Sequence, residues 1–339
     1  MAINVLDPLF LTEVVQNIRT DINSFRGAQL LTGGVDLKTE RGLTIEYDIT
    51  YDDTGMTPPT GLNDPSPIHT PPVVKHMSFT NQEWREKVII DREKMATLRQ
   101  PGNKLEQLWA EEYMVERMVG LNARLETRFE WMRWRSLTGT LVVPATKTKP
   151  AVTIDYGVPS NNKPTAATLW TDTANSDPLK DIDDWILRFR GSGARAVKII
   201  ANKKVDALLK QNAKIRELVK FTLGKEIVTG DSLAATLDQN LNGLKYEVYD
   251  GGYIDDNGVF YPFIPDNAII ILGEGMTGSI MDLVTSPNNY EDIFTGHPGK
   301  FALPKLISGD PDQWQVINGA TVLPRLKYVN WHIFATVAS

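Results

Sequence analysis

Between Leu43 and Tyr51 apolar and polar residues alternate without a break, with Leu43, Ile45, Tyr47, Ile49 and Tyr51 set against Thr44, Glu46, Asp48 and Thr50. A period of two predicts a strand with one apolar face. A second extended run, Val73 to Asn81, places Val73, Lys75, Met77 and Phe79 on one face and can return beside the first. Nine paired residues at about 3.3 Å each would make a two-stranded arm roughly 30 Å long. The residues between, Asp52 to Pro72, hold six of the twenty prolines and almost no apolar side chains, so they cannot be core. An isolated ribbon is marginal in water, and structureless loops of about 20 residues are uncommon in compact domains. The arm is therefore expected to rest on another surface, such as another subunit; a flexible surface hairpin is the alternative.

Helical spacing dominates Asn103 to Leu137. Leu105, Leu108, Val115, Met118, Leu125, Phe129 and Met132 recur three, four or seven apart, which predicts one buried stripe. Acidic residues gather in its first half and arginines in its second, matching the helix dipole. The length, roughly 50 Å, is that of a strut. Gly120 weakens it and predicts a bend. Upstream, Leu6, Leu9, Phe10, Val14, Val15 and Ile18 predict an amphipathic helical arm started by Asp7-Pro8. Downstream, strands are predicted at 141–143, 151–156, 196–201, 244–249, 268–272, 315–323 and 328–337. Helices are predicted from Asp177-Pro178 to Gly191 and, as one element, from Asn202 through Leu218, with a hairpin turn at Asn257-Gly258. The pattern is α+β without regular βαβ alternation and without internal repeats.

Composition narrows the function classes. A chain of 339 residues with 42% hydrophobic side chains supports one large or two modest domains. A formal charge of -6 argues against gripping duplex DNA as the main activity. With no cysteine, disulfides, thiolate zinc sites and cysteine nucleophiles are excluded together. No stretch approaches the roughly 18 apolar residues of a membrane span, and the N-terminus lacks the pattern of a secretory signal.

Gly273-Glu-Gly275-Met-Thr-Gly278 fits G-x-G-x-x-G after an apolar strand, with Asp292 near the position of a ribose-binding acid. Thr285 to Tyr290 supplies neither the helix nor the second strand that a dinucleotide fold needs, so a glycine-rich turn is the better reading. Asp52-Asp53, Asp183-Asp184 and Asp255-Asp256-Asn257-Gly258 lack calcium-loop spacing and read as turn or helix-start residues. His69 and His76 have no third ligand nearby. Arg124, Arg128, Arg133 and Arg135, with Phe129, Trp131 and Trp134, imitate a nucleic-acid stripe. Dipole complementarity and aromatic burial account for them as well. No catalytic triad is present, and no catalytic, cofactor-binding or metal-ligating residue is assigned.

The order of elements (arm, long hairpin, strut helix, α+β body) resembles the major capsid proteins of lambda-like tailed phages, which share the Hong Kong 97 type capsid fold, the phage major capsid protein E family. Leu6-Asp-Pro-Leu-Phe-Leu11 is similar to the family's N-terminal motif, Ser136-Leu-Thr-Gly139 to its end-of-helix turn, and Ile154-Asp-Tyr-Gly157 to the strand that follows. Tyr249 to Pro262 with Ile264-Pro-Asp266 is similar to its late hairpin, and Ser308-Gly-Asp-Pro311 to its C-terminal turn. The resemblance implies a non-enzymatic shell protein that forms pentamers and hexamers around packaged double-stranded DNA. It implies an N-terminal arm at 1–35 and an extended loop at 36–91. It further implies a peripheral domain at 92–169 and 279–325 with spine helix 103–137, and an axial domain at 170–278 and 326–339. No cofactor is expected. The implied partners are further copies of the chain, a separate scaffold, a portal and, as an option, a decoration protein. The implied place is the virion head, reached by assembly in the host cytoplasm. No long charged helical segment precedes the arm, which is why a separate scaffold is expected. Lysine-to-asparagine cross-links occur in some shells of this fold but are not implied by likeness to the lambda-like proteins, and Lys75 is no more than a candidate position. The rival readings are a nanocompartment shell of the same fold and a soluble α+β enzyme with its site near Gly273 to Gly278.

Overall fold

The computed structural model describes residues 11–13, 25–34, 37–40, 42–49, 56–61, 64–69, 75–90, 104–145, 147, 150–241, 243–275, 278–287, 299–308 and 313–339. Its contacts divide the chain into two compact units, one from 1–45, 78–132 and 282–325, the other from 46–77, 133–281 and 326–339.

The first unit is organised by the long strand β14 (Gln313–Leu326). Strands β13 (Lys300–Ile307) and β4 (Glu83–Ile89) flank it, both antiparallel. Strand β12 (Met281–Ser286) pairs with it as well, and the two-residue β1 (Lys38–Thr39) adds parallel to β12 with Lys38 opposite Val284. Buried polar groups in this sheet find partners, as they must. Asp282 accepts from Lys38 at 3.0 Å and from Arg325 at 3.1 Å, and Arg325 also reaches Glu40 at 2.9 Å. The Asn81 amide donates to Ser286 Oγ and to the carbonyls of Val284 and Thr321, while its backbone N–H donates to Leu43.

Asn81 thereby fixes the root of a two-stranded ribbon made of β2 (Thr44–Ile49) and β3 (Lys75–Thr80). The alternation appears as expected, with Ile45, Ile49 and Met77 buried and Tyr47 and Phe79 half-buried. Each strand has six residues where nine were expected, so the ribbon is nearer 20 Å than 30 Å.

Helix α2 (Lys104–Ser136) matches the predicted strut to within a residue at each end, after the short α1 (Arg26–Leu31). Met118, Leu125, Phe129 and Met132 are buried as one stripe, and Met118 packs in a cluster with Leu11, Ile90, Ala302 and Val316. The other faces are tied by charge. Glu126 pairs with Lys300 with both side chains largely buried, Arg124 grips Glu86 through two bonds of 2.6 and 2.9 Å, and buried Glu130 accepts the N–H of Gly27 at 2.6 Å. The helix continues through Gly120 without a break.

The second unit holds a four-stranded sheet in the order β15 (His332–Thr336), β11 (Ala268–Gly275), β7 (Ala194–Ala201), β8 (Lys245–Val248). β11 is antiparallel to both neighbours, and β7 runs parallel to β8 through a helical crossover. Four helices cover its core: α3 (Pro178–Ile186), α4 (Lys203–Gln211), α5 (Ala213–Leu223) and α6 (Gly230–Asn240). Ile182, Trp185, Val205, Leu209, Ile215, Val219, Leu233 and Leu237 meet Ile199, Ile269, Ile271 and Ile333 there. Two small hairpins complete the unit, β5 (Thr140–Val143) with β6 (Val152–Asp155) and β9 (Gly252–Ile254) with β10 (Phe260–Pro262).

Four expectations need correction. The single helix expected from Asn202 through Leu218 is two, because Asn212 is extended (φ -61, ψ 131) and caps α5 by accepting the N–H of Ile215, just as Asn202 caps α4. Helix α6 was not expected, although Thr229 and Ser232 form a capping box ahead of Leu233 and Leu237. The turn at Asn257-Gly258 closes its own hairpin, β9–β10, separate from the sheet strands on either side. The last strand begins at His332, later than expected, because Tyr328 and Trp331 stack in a turn with ring centroids 3.8 Å apart. The amphipathic arm at 5–26 lies outside the described residues apart from 11–13 and 25–26.

His332 yields a pH prediction. Burial lowers its pKa to about 4, and its Nε2 sits 3.0 Å from the carbonyl of Leu137. The ring is neutral when folded, whereas the unfolded chain takes up a proton below about pH 6.5. The stabilisation is complete above that pH and is lost as the pH falls toward 4, at about 3 kcal/mol over the window. Denaturation midpoints at pH 7 and pH 4.5 should converge for His332→Gln relative to the parent chain.

Candidate functional site

The glycine-rich motif is a packing device. Gly273 and Gly275 lie in β11, where a β-carbon on Gly273 would stand 2.5 Å from the Phe189 ring and one on Gly275 2.3 Å from the Trp331 ring. Gly273 N–H donates to the Trp331 carbonyl at 2.7 Å, and the Trp331 indole donates to the Ser192 carbonyl at 3.0 Å. This face of the strand is bare because two rings lie against it. Past Gly278 the chain enters β12 and not a helix, so the phosphate-binding helix terminus of a dinucleotide site is missing. Asp292 lies outside the described residues. Gly275→Ala should lower stability by about 1 to 3 kcal/mol through overpacking, read in a thermal melt.

The other candidates do not converge either. Asp52-Asp53 lie outside the described residues, and Asp183 and Asp184 are exposed on α3. Asp255 accepts the N–H groups of Val259 (2.8 Å) and Asn257 (2.9 Å), and these bonds hold its pKa below the usual value. That is turn chemistry. His76 meets Asp48 across the ribbon at 2.9 Å, and His69 is exposed. Among the described residues no group of three or more His, Asp or Glu side chains is placed to hold a metal ion. Lys75 extends over Gly157.

The arginine stripe is mostly spent within the fold. Arg124 holds Glu86, Arg133 is buried, and Arg128 lies over the rings of Trp84 (4.9 Å) and Trp131 (5.1 Å). The two aromatic faces make Arg128 a packed cation. Arg135 alone of the four is exposed without a contact of this kind among the described residues. Trp134 is buried and packs on Tyr249, ring centroids 5.4 Å apart.

What the molecule presents, then, is surface. Every described residue in 56–61 and 64–69 is exposed, with Met56 at 94% and Ile68 at 95%. Ile254, Val259 and Phe260 are exposed on the β9–β10 hairpin. Single exposed apolar side chains are ordinary, whereas neighbours such as the cross-strand pair Ile254 and Phe260 begin an apolar patch of the kind that marks a contact surface. Among the described residues no helix is long and apolar enough to cross a membrane.

Comparison with known proteins agrees with a surface-driven role. Residues 11–337 match the profile of the family described as phage major capsid protein E. The fold is that of a prophage protein from Escherichia coli CFT073 assigned as a capsid protein, with 18% identity, a TM-score of 0.63 and complete coverage of both chains. A phage-related protein from Bordetella bronchiseptica RB50 is similar at 12% identity and a TM-score of 0.55, covering 97% of this chain and 96% of that one. No curated protein sequence matches the chain.

Proposed function

The chain belongs to the phage major capsid protein E family, and from that premise we propose how it builds a head. Copies of the chain associate into pentamers and hexamers, and these close into an icosahedral shell around double-stranded DNA. The observation that carries this reading is the family match across residues 11–337. It favours a phage head over a nanocompartment shell and over an enzyme.

The parts divide the work. Residues 92–169 and 279–325, with helix α2 and most of the β14 sheet, act as the peripheral domain, and residues 170–278 and 326–339, with the four-stranded sheet and its helices, act as the axial domain. The proline-rich loop at the end of the ribbon lies over a neighbouring copy, which supplies the burial its own subunit withholds. A separate scaffold and a portal take part during assembly in the host cytoplasm. The net charge of -6 suits a lining that contains DNA without holding it, since cationic contacts to phosphate would resist packaging and release. Cryo-electron microscopy of particles made by this chain should show five- and six-fold capsomers. Particles built only of dimers, or open filaments, would contradict the reading.

A further inference from the structure

Two features of the second unit sit at opposite ends of its sheet. The β9–β10 hairpin leaves the Ala201 end of β7, where Tyr249 N–H donates to the Ala201 carbonyl. The turn from Leu187 to Arg195 enters the other end, where β7 starts at Ala194. Eight residues of strand separate them, about 26 Å.

The hairpin has two unlike faces. On one, Tyr253 and Tyr261 stack at 5.5 Å, and the stack continues through Phe263 (6.4 Å from Tyr253) and Tyr249 (6.3 Å from Phe263) to buried Trp134. That ladder anchors the hairpin. Side chains alternate along a strand, so the cross-strand pair Ile254 and Phe260 occupies the opposite face, 66% and 51% exposed. The charged residues of the hairpin's own segment are of one sign. Asp250, Asp255 and Asp256 lie in or beside the hairpin, and no Lys or Arg occurs from residue 246 to 299.

The far turn is its complement. Leu187-Arg-Phe-Arg-Gly-Ser-Gly-Ala-Arg195 carries three arginines and no acid, and Leu187, Arg188, Arg190 and Arg195 are exposed. Arg188 donates to the Asn161 carbonyl, and the acid opposite Arg195 in the sheet register is Glu274. Among the described residues none of the three arginines is in an ion pair.

We propose that the hairpin of one copy docks on the Leu187–Arg195 turn of the next, with Ile254 and Phe260 against Leu187 and the arginine stems, and Asp250, Asp255 and Asp256 facing the guanidinium groups. This rests on the assembly reading above and names the partner surface within it. The two patches are held at opposite ends of one sheet, so they meet between copies and not within one. A symmetric contact of either patch with itself would set like charges together, whereas a head-to-tail contact pairs opposite charges and can close a ring.

Charge reversal tests the docking. Asp250→Lys with Asp256→Lys, or Arg190→Glu with Arg195→Glu, should each cut the yield of capsomers and shells roughly tenfold or more while the thermal melt of the subunit stays near that of the parent. All four reversals together restore opposite charges and should recover most of the yield. Phe260→Ser, which removes an exposed ring, should likewise lower assembly without lowering the melt. Parent-like assembly of either pairwise reversal, or no recovery in the fourfold variant, would overturn the interface. A parent chain that itself stays monomeric would remove the assembly reading, and this interface with it.

Discussion

Removing residues 52–72, with a two-residue Asn-Gly turn closing the ribbon, leaves a soluble, folded subunit that no longer forms shells. Residues 56–61 and 64–69 are all exposed, so losing them withdraws no apolar burial from their own subunit. The ribbon root stays tied, because the Asn81 bonds to Leu43, Val284, Ser286 and Thr321 are untouched. The melting temperature should shift little, while particle formation falls to background. A proline-stiffened segment of about 20 residues with almost no apolar side chains adds nothing to the core of its own subunit, so its contribution lies in contact with another copy. Sedimentation separates the outcomes, and shells of normal size from the deleted chain would make the loop a bystander.

The second large effect lies in helix α2. Phe129 is 1% exposed and sits in the stripe formed by Met118, Leu125 and Met132. Phe129→Ala opens a cavity and should cost about 3 to 5 kcal/mol. Arg128→Gln removes a cation from between Trp84 and Trp131 and should cost about 1 kcal/mol, whereas the exposed Arg135→Gln should change the melt very little. Particle yield should follow the same ranking, with DNA content per particle unchanged in the double arginine variant. A double variant that assembled normally yet lost its DNA would turn this end of the helix into a nucleic-acid contact.

The elements that declared themselves in the sequence are those with one buried and one solvated face. Ile45 and Ile49 alternate with polar neighbours because the ribbon covers one side only, and Met118, Leu125, Phe129 and Met132 repeat because α2 buries one stripe. The hidden features depend on partners distant in the chain. Asn212 could have been a mid-helix residue until its capping bond to Ile215 showed otherwise, and Gly273 and Gly275 read as a nucleotide motif until Phe189 and Trp331 were seen against them. The Glu126–Lys300 pair, the Arg128 contact with Trp84 and the ladder from Trp134 to Tyr261 join separate elements and leave no local periodicity. The recurrence of Tyr249, Tyr253, Tyr261 and Phe263 was the one available hint of an anchored hairpin. Chemistry was legible as scattered candidates, and among the described residues Gly273, Gly275, Asp255, Arg124 and Arg128 have structural roles.

Self-association is the central claim, and sedimentation velocity of the purified full chain over a range of concentrations, with electron microscopy of each boundary, tests it most directly. The account predicts discrete fast boundaries containing ring-shaped capsomers or closed shells. A single monomer boundary at every concentration, unchanged by lysate of the phage-producing host, would contradict it.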